Sequence, residues 1–445
     1  MNHRMTVGAE TGPRVTHRAV LAIALPIVIS NISTPLLGLA DTAVMGRMGD
    51  PKYIGAVALG ALIFTMVYWT FGFLRMGTTG LTAQAAGAED GEEIRAALGR
   101  ALLIAGGIGT ALIALQWPIR TIAFALLDGG AEVEALAHAY YDIRIWSAPF
   151  ALANYALTGW FIGLERAGLA LALQVMLNTV NIALDVLFAL GLGWDVQGIA
   201  AGTLIAEVTA ALVGLAIASR VLGFYPGVWT RARLLDAARL ARTIAVNRDI
   251  MIRTIVLLLS FAWFTAKSAE AGTMTLAVNS ILLQFVTVSA FFLDGFALSA
   301  ETLVGKATGA LDRISFDLAV KLSTLWAGGI SLLLTLAVFL FGGAVIDFLT
   351  IDAEVRAGAR VYLFWAAMLP VLSVWCYQLD GIFIGATRSS EMRNAALASS
   401  AVFLLLWWLL LPYGNHGLWG ALAGFNLTRA LSLGFYFPKL RRALA

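Results

Sequence analysis

The sequence predicts an all-α, polytopic membrane protein: twelve transmembrane helices in two six-helix bundles related by a pseudo-twofold axis. Composition, the spacing of apolar runs and an internal repeat predict it. Of the 445 residues, 60% are hydrophobic and 13% charged, against about 45–50% and 25% in average soluble domains. The charges bunch between long apolar runs such as Ala19–Ala40 and Leu397–Leu411, and a span needs roughly 20 mainly apolar residues. A soluble enzyme is excluded. With 30 Lys and Arg against 27 Asp and Glu, charge offers nothing to a nucleic acid.

Residues 1–18, carrying Arg4, Arg14, His17 and Arg18, read as a cytoplasmic tail. The apolar run behind them is too long for the 7–15-residue core of a signal peptide. Apolar runs then predict spans at 19–44, 54–84, 94–117, 134–162, 168–192 and 197–221, an N-lobe over 19–221. The linker 222–247 holds Arg231, Arg233, Arg239 and Arg242, as either a membrane-surface segment or a solvated loop. Spans at 248–268, 275–305, 316–342, 358–386, 393–412 and 417–438 make a C-lobe over 248–438, ahead of a short cytoplasmic tail, 439–445. The longest of these must tilt, kink or project from the bilayer. An even count puts both termini on one side. Only Arg47, Lys52, Arg120, Lys267, Arg356 and Arg360 fall in loops on the other, and Lys and Arg concentrate inside. Both termini are expected in the cytoplasm, with the chain multi-pass in a bacterial inner membrane.

Sliding the chain by 222 residues aligns Leu157–Arg166 with Leu379–Arg388, with Leu, Gly, Phe, Ile, Gly and Arg shared. The same shift pairs Gly198, Ala201 and Gly202 with Gly420, Ala423 and Gly424, Gly87-Ala88 with Gly309-Ala310, and Tyr140 and Tyr155 with Tyr362 and Tyr377. One offset serving separated regions indicates duplication. Six helices per copy make the repeats parallel, related by an axis along the membrane normal, with substrate sites near the midplane between them. That is transporter architecture.

Leu25-Pro26 with Leu39-Ala-Asp-Thr-Ala-Val-Met-Gly46 resembles the opening of MATE (multidrug and toxic compound extrusion) transporters. Tyr141–Pro149, Phe291–Ala297 and Leu379–Arg388 resemble its DinF branch. The resemblance covers nearly the whole chain. It implies a V-shaped pair of lobes and ion-driven export by alternating access.

A charge at the bilayer centre costs at least roughly 2.5–3.5 kcal/mol, so a buried acid is a functional hypothesis by default. Asp41 follows Pro26 and Pro35, each of which removes a backbone bond and favours a kink. The bland reading of Asp41 is an interfacial acid near a helix end. Asn178, Asn181 and Asp185 line one helical face, Asn154 and Thr158 make a similar pair, and so do Thr203 and Glu207. These stripes mark a shared wet pocket or hydrogen bonds that glue helices together. The resemblance places the coupling acid at Asp41, hydrogen-bonded to Asn181 and Asp185. Shifted by 222, Asp41, Asn181 and Asp185 land on Trp263, Phe403 and Trp407, so this site is not duplicated.

Asp294, Glu301 and Asp380 are cavity candidates in the second half. Glu301 is alternatively a partner for Lys306 or a rim residue, while Arg144 and Arg253 are possible partners for Asp294 and Asp380. Sodium-driven relatives typically carry an acid in helix 7, and Ile252–Phe264 has none, so proton coupling is preferred to sodium. The single Cys376 and four unpatterned histidines leave no metal, disulfide or redox site, and no phosphate loop or nucleophile elbow appears. No catalytic residue and no cofactor are expected beyond the proton gradient. The expected function is a secondary antiporter exporting organic, often cationic or amphiphilic compounds, a monomer whose partners are substrates, protons and the lipid bilayer. A sodium-coupled exporter and a lipid-linked oligosaccharide flippase are the alternatives.

Overall fold

The computed structural model describes residues 15–48, 50–127 and 130–444, and no strand occurs among them. Most of the tail expected over 1–18 lies outside the described residues. Helix α1, His17–Gly46, begins with Thr16 accepting a hydrogen bond from the Ala19 amide and continues through Pro26 and Pro35. There follow α2 (Pro51–Thr70), α3 (Phe73–Gly87), α4 (Gly91–Ala114), α5 (Gln116–Leu126), α6 (Ala131–Arg144), α7 (Ala148–Gly163), α8 (Ala167–Asp185) and α9 (Asp195–Leu222). The second half holds α10 (Arg231–Leu234), α11 (Ala237–Glu270), α12 (Thr273–Gly309), α13 (Arg313–Leu349), α14 (Ala353–Gly385), α15 (Ser389–Leu409) and α16 (Gly414–Arg442).

Among the described residues, ten helical segments are long and apolar enough to cross a membrane. The other two expected spans are helical but more polar. Residues 131–163 begin with Glu132 and Glu134 and break into a tight turn at Ile145–Ser147 before Pro149. The last, α16, carries Asn415, His416, Asn426 and Arg429 and ends in Lys439, Arg441 and Arg442. The expected span 54–84 is two helices meeting at Phe71–Gly72, and the short α5 was not anticipated. The linker also shrinks. Asp236 accepts a hydrogen bond from the Arg239 amide and starts α11 at Ala237, inside the expected 222–247 segment; such a cap satisfies an amide that the helix itself leaves unpaired.

Helices α1–α9 form one bundle and α11–α16 the other, joined where α3 and α1 pack on α12. One apolar core fills the first bundle and runs through that junction to Phe296 and Phe316, while a separate core around Phe264, Phe403 and Trp419 fills the rest of the second. The bundles are therefore closed at the Gly87–Gly309 end and independent at the other.

The 222-residue register holds at the level of single atoms. A Cβ on Gly159 would collide with the Arg75 carbonyl, and one on Gly381 with that of Ala297; Gly163 meets Thr79 and Gly385 meets Glu301 in the same way. Each of these pairs is its partner shifted by 222. Across the junction Gly87 faces the Lys306 carbonyl while Gly309 faces that of Gln84, the reciprocal contact that a twofold axis requires. The left-handed residues Glu89 (φ 54°) and Leu311 (φ 53°), and Glu165 (φ 60°) and Thr387 (φ 53°), repeat too. So do the bonds that tie the closed end. Gln84 Nε2 donates to Thr387 Oγ1 at 3.2 Å, and its counterpart Lys306 pairs with Glu165, the counterpart of Thr387. Arg242 adds hydrogen bonds of 2.8 Å to Gln84 and Thr387.

Because these glycines sit against backbone, which cannot rotate away, Gly159→Val and Gly381→Val should each cost about 1–3 kcal/mol of stability. Gly106→Ala, with nothing within 4 Å, should cost little. Melting temperatures of the purified variants in detergent check this; equal melting of all three would refute the packing account.

Candidate functional site

In the first bundle, α1 carries Asp41 past Pro35 to face α8. On α8, Asn178, Asn181 and Asp185 are all buried, and the helix widens into a π-helical turn, Val186–Gly191, immediately after Asp185. Helix α9 reaches this point because residue 202 is glycine, since a Cβ there would strike Asp185 Oδ1. The Asp41 and Asp185 carboxyls are in side-chain hydrogen-bonding contact. Asn181 Nδ2 donates to Asp185 Oδ1 at 3.3 Å and to Thr203 Oγ1 at 3.1 Å, and Thr203 donates to the Ile199 carbonyl at 3.0 Å. No other described residue donates to Asp41 Oδ1 or Asp185 Oδ2. Two carboxylates in contact repel one another unless a proton lies between them. Asp41, Asn181, Asp185 and Thr203 thus form one connected polar chain across α1, α8 and α9.

The other stripe residues separate from it. Asn178 Nδ2 donates to Ser33 on α1 at 3.1 Å and Asn154 Nδ2 to the Glu207 carbonyl on α9 at 3.0 Å. Both tie helices together. Thr158 is half-buried on α7 and is not part of the chain. Facing the acid pair is an arginine that the sequence offered as one of two partners for Asp294 and Asp380. Arg144 on α6 donates to the Tyr140 hydroxyl at 2.6 Å, stacks 4.8 Å above the Phe64 ring, and lies in electrostatic range of Asp41, Asp185 and Glu207. It serves this site and not Asp294 or Asp380. A lone arginine inside a span was the available signal, but which acid it faces depends on how α6 packs against α9.

The second bundle holds a different cluster. Asp380 on α14 is bracketed by Arg253 on α11 and Arg429 on α16. Arg253 was an expected partner; Arg429 was not. Asp294 on α12 lies among Arg75, Arg253 and Asp380. Glu301 is 2% exposed and faces Thr79 and Arg75 from across the junction. That removes both alternative readings of Glu301, because it is not on a rim and Lys306 pairs with Glu165 instead. Three acids and three arginines from α3, α11, α12, α14 and α16 therefore meet near the junction. Among the described residues no three His, Cys, Asp or Glu gather as a metal site. The repeat shows how the bundles diverged, since Thr158 and Glu207 correspond to Asp380 and Arg429.

Comparison with known proteins matches this chain to a family. The MatE family profile matches residues 26–187 and 250–410, once in each half. The chain is 40% identical to DNA damage-inducible protein F of Escherichia coli, over 94% of this chain and 91% of that one. It is 27% identical to the probable multidrug resistance protein NorM of Caulobacter vibrioides, over 95% and 90%. In three dimensions it is similar to a MOP superfamily transporter from Pyrococcus furiosus, with a TM-score of 0.86, 19% identity and 96% of each chain covered.

Leaving a buried charge unpaired costs about 3–5 kcal/mol. Asp380→Leu strands two arginines, whereas Arg429→Leu leaves Asp380 with Arg253. The aspartate variant should therefore be the less stable of the two in detergent melting. The opposite order would show that Arg253 does not compensate.

Proposed function

The chain belongs to the MatE family of transporters, and on that premise we propose that it is a proton-coupled antiporter exporting organic, often cationic or amphiphilic compounds by alternating access. The contact between the Asp41 and Asp185 carboxyls, beside a proline-containing helix, carries this reading. With one proton the pair keeps a negative charge opposite Arg144; a second proton neutralises it. An organic cation in the N-lobe favours the charged pair and an entering proton favours the neutral one, so the two compete. Differential affinity of that kind is what shifts a transporter between states.

Helix α1 is suited to transmit the change. Pro26 and Pro35 leave the carbonyls of Ala22 and Asn31 without their helical donors, so the helix bends there without breaking further bonds. Asp41 lies on the segment beyond Pro35. The lobes are 19–221 and 248–438, working as a monomer in a bacterial inner membrane. The closed Gly87–Gly309 end faces the cytoplasm with both termini, and the free end opens outward. Sodium is a second reading for the same site, because Asp41 Oδ1, Asn181 Oδ1 and Asp185 Oδ2 are buried oxygens without a donor, and a hard cation prefers oxygen ligands.

Purified protein in liposomes tests the coupling. Asp41→Asn and Asp185→Asn should abolish efflux of a dye driven by a proton gradient while membrane insertion stays normal. Normal proton-driven efflux by Asp41→Asn would end the mechanism, and efflux driven by sodium alone would select the second reading. Orientation is testable in intact cells. Cys376 is buried, so a cysteine placed at Trp229 supplies the label, and it should resist a membrane-impermeant maleimide until the cells are opened. Labelling from outside would invert the topology.

A further inference from the structure

Where the first bundle holds its polar chain, the second holds rings. Asp41 and Asp185 correspond to Trp263 on α11 and Trp407 on α15, and these two rings pack edge to face with centroids 5.4 Å apart and planes at 87°. Asn181 and Thr203, hydrogen-bonded to one another, correspond to Phe403 and Phe425, whose rings also meet, at 5.9 Å. Each polar contact has become an aromatic contact at the same register. The Trp pair already holds a cation. Lys267 Nζ lies 4.7 Å from the Trp263 ring and 5.1 Å from the Trp407 ring, within the distance at which a ring quadrupole attracts positive charge. Its carboxylate partner, Glu270, lies 2.7 Å away on the same helix, so the ammonium keeps a counter-ion if it leaves the rings.

The two Trp residues differ in access. Trp263 is 36% exposed and Trp407 half-buried, while Phe403 and Phe425 are buried behind them. A Trp beside a Lys near a helix end is also the usual form of an interfacial anchor. An anchor, however, uses separate rings turned outward, whereas here rings from two helices close on one ammonium. Resting on the export reading above, we infer that Trp263 and Trp407 form a C-lobe subsite for a lipophilic organic cation, a quaternary ammonium or phosphonium, and that the Lys267 ammonium, paired with Glu270, occupies it until the cation displaces it from the rings. Ring faces attract cations of many shapes, which suits a polyspecific exporter.

The probe is tetraphenylphosphonium, its affinity measured by equilibrium dialysis against the full-length protein in nanodiscs. Trp263→Leu should weaken binding about tenfold, in line with loss of a partly desolvated cation–π contact, and Trp263→Phe should restore most of it. Lys267→Met removes the internal competitor and should tighten binding several-fold. Trp117→Leu, at an exposed tryptophan on α5, should bind the probe as the unaltered chain does. Unchanged binding by Trp263→Leu overturns the subsite, and so does weaker or unchanged binding by Lys267→Met. Absence of probe binding by the unaltered chain also overturns it. The export reading fails separately, if the unaltered chain shows no dye efflux under a proton gradient.

Discussion

A carboxylate carried into the apolar interior of a bilayer must be neutralised, because no water is there to solvate it. This protein meets that demand in two ways, and the difference separates its lobes. Asp380 is held between Arg253 and Arg429, so its charge is balanced by groups that never give up their protons. Asp41 has another acid, Asp185, as its contact, with Arg144 within electrostatic range of both. One lobe balances its acid with two arginines, and the other sets two acids before one.

The scaffold makes both arrangements possible through close helix approach. Bringing α9 against Asp185 requires glycine at 202, and bringing α7 against α3 requires glycines at 159 and 163. The same contacts recur 222 residues later between α14 and α12. Without a hydrophobic force between helices in lipid, association rests on such van der Waals fit and on interhelical hydrogen bonds. Duplication preserved the fit and released the side chains. Positions that hold Asp, Asn and Thr in the first lobe hold Trp and Phe in the second, at the same register.

Several site residues were legible in the sequence and several were not. The face shared by Asn181 and Asp185 follows from helical periodicity, and burial of Asp185 and Glu301 from the cost of charge in lipid. Partner choice did not follow. Periodicity gave Asn178, Asn154 and Thr158 the same standing as Asn181, yet Asn178 and Asn154 serve as ties between helices and Thr158 stays apart. Arg144 was legible as a charge inside a span, but the groups it faces include residues of α1, α2, α8 and α9, which are distant in the chain.

The sequence by itself determined what depends on composition and local spacing: a membrane-spanning helical chain, its duplication at 222 residues, the acids that must be buried, and the lack of a second copy of the polar site. The repeat register could be read from letters because identical glycines must recur wherever identical backbones touch. Tertiary structure alone decided which charges meet. A side chain's partner is set by the rotation and tilt of whole helices, and those are fixed by the summed packing of several neighbours. So Lys306 turned to Glu165 and left Glu301 to Thr79 and Arg75, and the tryptophans that replaced two acids closed on Lys267.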